Sequence, residues 1–185
     1  SDNQLDLRND EVQSALVTKC REFFDSNPNV DQVAVTPEDG YGWPPQFASE
    51  SQLQAQRNAG QPARLKHHQS VSEPFFRAIS SIAQPLKESH PDKQLYTSAY
   101  VNYVWPPVTI QRLPDNVTVA VAHYNPADYA HPIGSATTDA SEQFKTVLQR
   151  WTERTESPWL YAYTVKYALD CLPFPIADRL AADIE

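Results

Sequence analysis

Apolar residues fall along the chain in two rhythms, one close to the turn of a helix and one dense enough for a buried strand. After Asn9, the apolar positions Val12, Ala15, Leu16, Cys20, Phe23 and Phe24 recur at intervals of three and four. That spacing predicts a helix with one buried face, and Asn9 is a suitable cap for it. The segment Asp25-Ser26-Asn27-Pro28-Asn29 ends the helix, because proline and polar turn residues do not continue the ladder. A short β-branched strand over residues 32–36 follows. Residues 41–69, rich in Gln, Ser, Pro and Arg, predict a long excursion with a short helix over 50–58. Excursions of that length inside a compact domain are functional or partly disordered loops.

A second helix places Phe75, Phe76, Ile79, Ile82, Ala83 and Leu86 on one face. Ser72 is its expected cap, Pro74 sits in the first turn where proline is tolerated, and Pro85 should kink the last turn. After a turn over 90–93, two strands are predicted, Leu95–Tyr103 and Val117–Tyr124. The second is almost continuously apolar until His123, as strands buried on both faces are. A third helix carries Phe144, Val147, Leu148 and Trp151, a strand covers 159–165, and Ile176, Leu180 and Ile184 begin a last helix.

Helices alternating with buried strands define an α/β protein with a largely parallel sheet. A full (β/α)8 barrel needs about 250 residues and eight strands. With four strands predicted, the 185 residues read as part of a TIM-like barrel or, alternatively, as a small open α/β sheet. The last helix, interrupted in mid-pattern, favours a single α/β domain that is a portion of a larger barrel.

Composition narrows the function classes. The net charge of −8 disfavours non-specific nucleic-acid binding, which needs clustered Lys and Arg. No apolar run approaches the roughly 20 residues that span a bilayer. With 16 prolines and 4 glycines, the loops should be stiff. The 2 cysteines, Cys20 and Cys171, have no metal-ligand spacing, and Cys20 reads as a small buried hydrophobe. His67-His68 reads as a loop feature rather than a metal site, because chain neighbours rarely bind one ion. No cofactor is expected: there is no G-x-G-x-x-G, P-loop or nucleophile elbow. Asn116-Val-Thr118 matches the glycosylation sequon, a pattern that is common by chance.

Chemistry in parallel α/β sheets gathers at the carboxyl ends of strands. Those ends carry Glu38 and Asp39; Tyr100, Asn102, Tyr103 and Trp105; His123, with Asp128 in its loop; and Tyr163 and Asp170. Aromatic faces stack on sugar C–H faces while Asn, His and Tyr tips bond hydroxyls, so the mixture suits a carbohydrate. Trp43-Pro44-Pro45 and Trp105-Pro106-Pro107 each set an indole on a stiff backbone past a strand, for binding or simply for packing. His123 is equally compatible with a sugar contact and with a structural role. Glu38 and Asp39 could divide labour in glycoside cleavage, since crowding two carboxylates raises one pKa and keeps an acid protonated. The same Pro-Glu-Asp-Gly run is also a good turn sequence.

Several segments together resemble the DUF4838 family: VAVTPEDG, KESHPDKQL, TSAYVNYVWPP, the strand after LPDNV, FKTVLQRW and LYAYTVKYALDCLPFPIADRL. Tyr100, Pro106-Pro107 and Leu172-Pro173-Phe174-Pro175 are the most specific. The resemblance implies a TIM-barrel, glycoside-hydrolase-like domain, with an acidic turn after a central strand and Asp39 as the matching carboxylate. It favours an extracellular or periplasmic location and a longer chain around this one. Where members carry a cysteine-rich segment after the acidic turn, this chain reads Tyr41-Gly42-Trp43-Pro44-Pro45-Gln46, and their Asp-Tyr-Thr is Ala162-Tyr163-Thr164 here. A second carboxylate must then come from Asp128, Asp170, another part of the protein or the substrate. The expectation is a carbohydrate-active protein with Asp39 and Glu38 as catalytic carboxylates and Trp43, Tyr100, Tyr103, Trp105, His123 and Tyr163 binding sugar. A non-catalytic glycan-binding module or a structural domain is the alternative.

Overall fold

The computed structural model describes residues 4–39, 41–65, 67–123, 132–135, 139–156, 158–162 and 181–183. Four strands, β1 (Gln32–Ala34), β4 (Gln94–Ala99), β5 (Val117–Ala122) and β6 (Trp159–Tyr161), pair in the order β1-β4-β5-β6. Every pairing is parallel. Among the described residues the sheet is open, with β1 and β6 at its edges. The predicted α/β class and parallel sheet are therefore found, in the form of the open sheet rather than a closed barrel. The short antiparallel hairpin of β2 (Arg64–Leu65) and β3 (His68–Gln69) lies within the segment read as an excursion.

Alternation along β4 decides which side is covered. Leu95, Thr97 and Ala99 are buried, whereas Gln94, Tyr96 and Ser98 are half-buried. On the covered side, the helices α1 (Asp10–Ser26), α3 (Ser72–Ser89) and α4 (Asp139–Thr152) join Leu95, Ala99, Val117, Val119 and Val121 in one core cluster. Val17, Cys20 and Phe24 supply the α1 stripe, while Phe23 lies outward at 38 % exposure. The Asn9 side chain caps α1 by accepting the Glu11 N–H at 2.8 Å. Burial pushes the Cys20 thiol up from its ordinary pKa, as expected of a small core hydrophobe. All six apolar positions predicted for α3 are buried with no exposed area. Phe76 meets Trp151 of α4 edge-on at 4.8 Å. Ser72 does not cap α3. Val71 holds the cap position without a side-chain bond, and Ser72 is the first helical residue. The short helix α2 (Glu50–Asn58) has a full capping box from Ser49 and Gln52.

The connection from β4 to β5 is unusual because, among the described residues, it contains a single 3-10 turn (Val101–Tyr103) and no α-helix. Prolines 106, 107 and 114 offer no N–H, so their segment has carbonyls to satisfy and few amides. The Trp151 indole donates to the Val104 carbonyl at 2.8 Å, and Arg154 Nε to the Pro107 carbonyl at 3.0 Å. The Leu113 N–H donates to the Arg154 carbonyl at 2.8 Å, and two further amides converge on Glu73, 1 % exposed in the first turn of α3. Its carboxylate accepts the Val108 N–H, the Thr109 N–H at 2.9 Å and the Thr109 hydroxyl at 2.6 Å. Nearby, Asn116 is 1 % exposed and its Nδ2 donates to the Ala83 carbonyl at 2.9 Å. The sequon at Asn116 is therefore closed to a glycan in the folded protein.

Removing the Glu73 carboxylate leaves the amides of half-buried Val108 and exposed Thr109, and the Thr109 hydroxyl, without their acceptor in the buried first turn of α3. Glu73→Ala should cost about 2–4 kcal/mol in urea unfolding, and Glu73→Gln, which keeps one acceptor, visibly less. A Glu73→Ala protein within about 1 kcal/mol of the parent contradicts this role.

Candidate functional site

A cleft of about 230 Å³ opens at the carboxyl end of the sheet, between the turn after β1 and the end of β4. Glu38 and Asp39 line one side, with Tyr96, Ser98, Tyr100, Tyr103 and Tyr161 on the others. The register explains the company: Ala34 pairs with Tyr96, Ser98 with Ala120 and Ala122 with Tyr161. These residues share the sheet face away from the helices. The floor is small (Ser98, Ala122) and the walls are aromatic.

The acidic turn is held by its backbone. Gln4 pairs its side-chain amide with Glu38, accepting the Glu38 N–H at 3.0 Å and donating to the Glu38 carbonyl. Both carboxylate side chains lie in exposed residues at the lip of the cleft. The tyrosine side is set by a break in β4. The expected strand to Tyr103 stops at Ala99, because Val101 has φ +43°, a left-handed conformation that costs a β-branched residue roughly 1–2 kcal/mol. The chain then curls, with the Tyr103 N–H donating to the Tyr100 carbonyl at 2.9 Å. The rings of Tyr100 and Tyr103 stand edge to face, 6.4 Å apart at 80°. Between them, Asn102 turns the other way and anchors the curl. Its Nδ2 donates to the Gln69 carbonyl at 2.8 Å, and its carbonyl accepts the Val71 N–H at 3.0 Å.

The structure thus brings four of the expected site residues together, Glu38, Asp39, Tyr100 and Tyr103. Trp43 lies outside the cleft, half-buried against Phe47, Phe75 and Tyr103 with ring centroids 4.9–5.7 Å away. Trp105 is 3 % exposed, beneath the Arg150 guanidinium at 5.4 Å. His123 is 1 % exposed and stacked on Phe144 of α4 at 4.1 Å. It continues the Val119–Val121 side of β5, which faces the helices, so it is turned away from the cleft. Tyr163, Asp128, Asp170 and Cys171 lie outside the described residues.

Tyr96, Ser98 and Tyr161 were not singled out by strand-end reasoning, yet they line the cleft. The signal was the period of two: Tyr96, Ser98 and Tyr100 are alternate residues of one strand and must share a face. The Tyr96 hydroxyl is pushed above its ordinary pKa by burial and by neighbouring Tyr161; like any tyrosine it is protonated and able to donate at neutral pH. Among the described residues, no three of His, Cys, Asp and Glu gather as a metal site. No described helix is long and apolar enough to cross a membrane.

Asparagine tolerates the left-handed conformation better than valine does. Val101→Asn, usually damaging at a half-buried β-branched position, should leave the unfolding free energy unchanged or raise it by up to about 1 kcal/mol. A loss of more than about 1 kcal/mol in chemical denaturation refutes strain at this position.

No curated protein and no solved structure matches the chain. One family model does, over residues 1–185, and it is described as a domain of unknown function. With the whole chain matched, the protein belongs to the DUF4838 family.

Proposed function

We propose that the cleft is the sugar-binding site of a carbohydrate-active, glycoside-hydrolase-like protein acting on polysaccharide-derived sugars. The observation that carries this reading is the meeting of an acidic turn, Glu38-Asp39, with a wall of tyrosines around a small floor. Tyrosine rings offer faces for the C–H side of a sugar and hydroxyls for its polar edge. The carboxylates accept strong hydrogen bonds from vicinal hydroxyls. A volume of about 230 Å³ is below the roughly 300–1,000 Å³ of drug-sized pockets and is scaled to about one ring. Asp39 is the principal carboxylate, with Glu38 as partner or alternative acid. The wider setting we propose is a longer, barrel-type chain working outside the cytoplasm.

A non-catalytic reading has its own support. Hydrolysis uses two carboxyl groups on opposite sides of the scissile bond, about 5–9.5 Å apart. The carboxylates among the described residues lining the cleft are Glu38 and Asp39 alone, chain neighbours on one lip. A glycan-binding module needs no opposing acid.

Asp39→Asn separates the two. If the protein is a hydrolase, turnover on a panel of plant, bacterial and animal oligosaccharides falls at least about 100-fold in the variant while affinity changes little. Parent protein that binds sugars but turns none over favours the binding module. Parent protein that binds none of the panel removes the carbohydrate reading.

A further inference from the structure

The cleft carries negative charge and aromatic faces, and no described residue lining it is Lys, Arg or His. Glu38 and Asp39 stand at one lip, with Tyr96, Tyr100, Tyr103 and Tyr161 as the walls. The two carboxylates are not neutralised elsewhere: among the described residues, no ion pair engages Glu38 or Asp39. Other hollows of the molecule are lined differently. A groove of about 450 Å³ over α1 and α3 carries Arg8 and Arg77, and a pocket of about 170 Å³ at the amino ends of β4, β5 and β6 carries Arg112.

Three kinds of sugar can be weighed against that lining. A uronate brings an anion towards two carboxylates with no described cation beside them, and like charges repel it. A neutral sugar uses the ring faces and hydroxyls but gives the carboxylates only ordinary hydroxyl donors. A sugar with a free amino group, protonated at neutral pH, uses both halves of the cleft. Its ammonium N–H groups make charge-assisted bonds to a carboxylate, and its charge is attracted to the face of a tyrosine within about 6 Å of the ring centroid. Tyr100 and Tyr103, 6.4 Å apart at 80°, present ring surface in two nearly perpendicular directions.

We propose that the cleft selects its ligand by charge and takes a basic sugar, one bearing a free amino group, in preference to neutral sugars and against uronates. The proposal rests on the reading of the cleft as a sugar site and adds the substrate class. Glu38 and Asp39 are then the specificity-determining anions, and the tyrosine walls add to the preference. This role holds whether or not the protein also cleaves the sugar.

The test is a ¹H–¹⁵N NMR titration of the whole protein, at low salt, with the amino, N-acetylamino, neutral and uronate forms of gluco-, galacto- and manno-configured sugars. The amides of Asp39 and Tyr100 report the cleft. In the configuration that binds, the amino sugar should bind roughly three- to tenfold tighter than its neutral and N-acetylated counterparts, and the uronate at least about threefold weaker than the neutral sugar. Replacing both carboxylates, Glu38→Gln with Asp39→Asn, should shrink the amino-sugar preference at least about threefold, with either carboxylate alone retaining part of it. Asp92→Asn, which removes an exposed carboxylate in the turn before β4, should leave the preference unchanged. A neutral sugar that binds as tightly as the amino sugar, or a preference untouched in the double variant, overturns charge selection and leaves the cleft as a neutral-sugar site. A preference that shrinks equally in Asp92→Asn belongs to the net charge of −8 and also overturns it. No shift of the cleft amides with any sugar overturns both readings. The comparison among sugars uses the parent protein, so it decides the matter even if the double variant folds poorly.

Discussion

Two parallel strands side by side require the chain to return the full length of the sheet between them, and between β4 and β5 it does so without an α-helix. A bare return of this kind exposes backbone groups to the interior unless something answers them. Glu73 is that answer for the amides of Val108 and Thr109, while Trp151 and Arg154 answer the carbonyls of Val104 and Pro107. One carboxylate on α3, the Trp151 indole in the last turn of α4 and Arg154 just past it thus fix a proline-rich strap from both sides. The strap brings β5 into register with β4, and the register sets Ala122 and Tyr161 beside Tyr100. The cleft is a consequence of how that strap is satisfied.

The same economy shapes the tyrosine rim. Ending β4 with a left-handed valine is locally unfavourable, but it lets the residues on either side of it serve two sides of the turn. Tyr100 and Tyr103 face the cleft, and Asn102 ties the turn to the β2–β3 hairpin and the start of α3. Strain persists only where the surroundings over-determine the conformation, and here they do so through the two bonds of Asn102. On the opposite lip, Gln4 does a similar task for Glu38 by pairing with its backbone and leaving the side chain to the cleft. Both lips are therefore held by contacts distant in sequence.

Much of the architecture was legible in the chain because helical periodicity and buried strands are local signals. The Asn9 cap, the α2 span and the apolar face of α3 all stand where the pattern puts them. What was not legible depends on facing and on distant partners. Strand-end position alone grouped His123 and Trp105 with the rim, but His123 continues the helix-facing side of β5 and Trp105 sits under Arg150. Tyr96 and Ser98 went unnoticed although alternation from Tyr100 already put them on its face. Glu73 gave no local sign of burial, since its partners lie 35 and 36 residues away. Val101 is invisible to propensity, because valine prefers the strand that it here interrupts.

The acidic turn and the tyrosine rim are held independently, one by Gln4 and the other by Asn102, and the proposed function requires them to act jointly on one ligand. A double-mutant cycle measures this directly: sugar affinity by calorimetry for the parent, Asp39→Asn, Tyr100→Phe and the double variant. If both side chains grip the same ring, the two losses couple by about 0.5 kcal/mol or more. Losses that add to within about 0.3 kcal/mol, or a parent protein that binds no sugar, contradict a shared site.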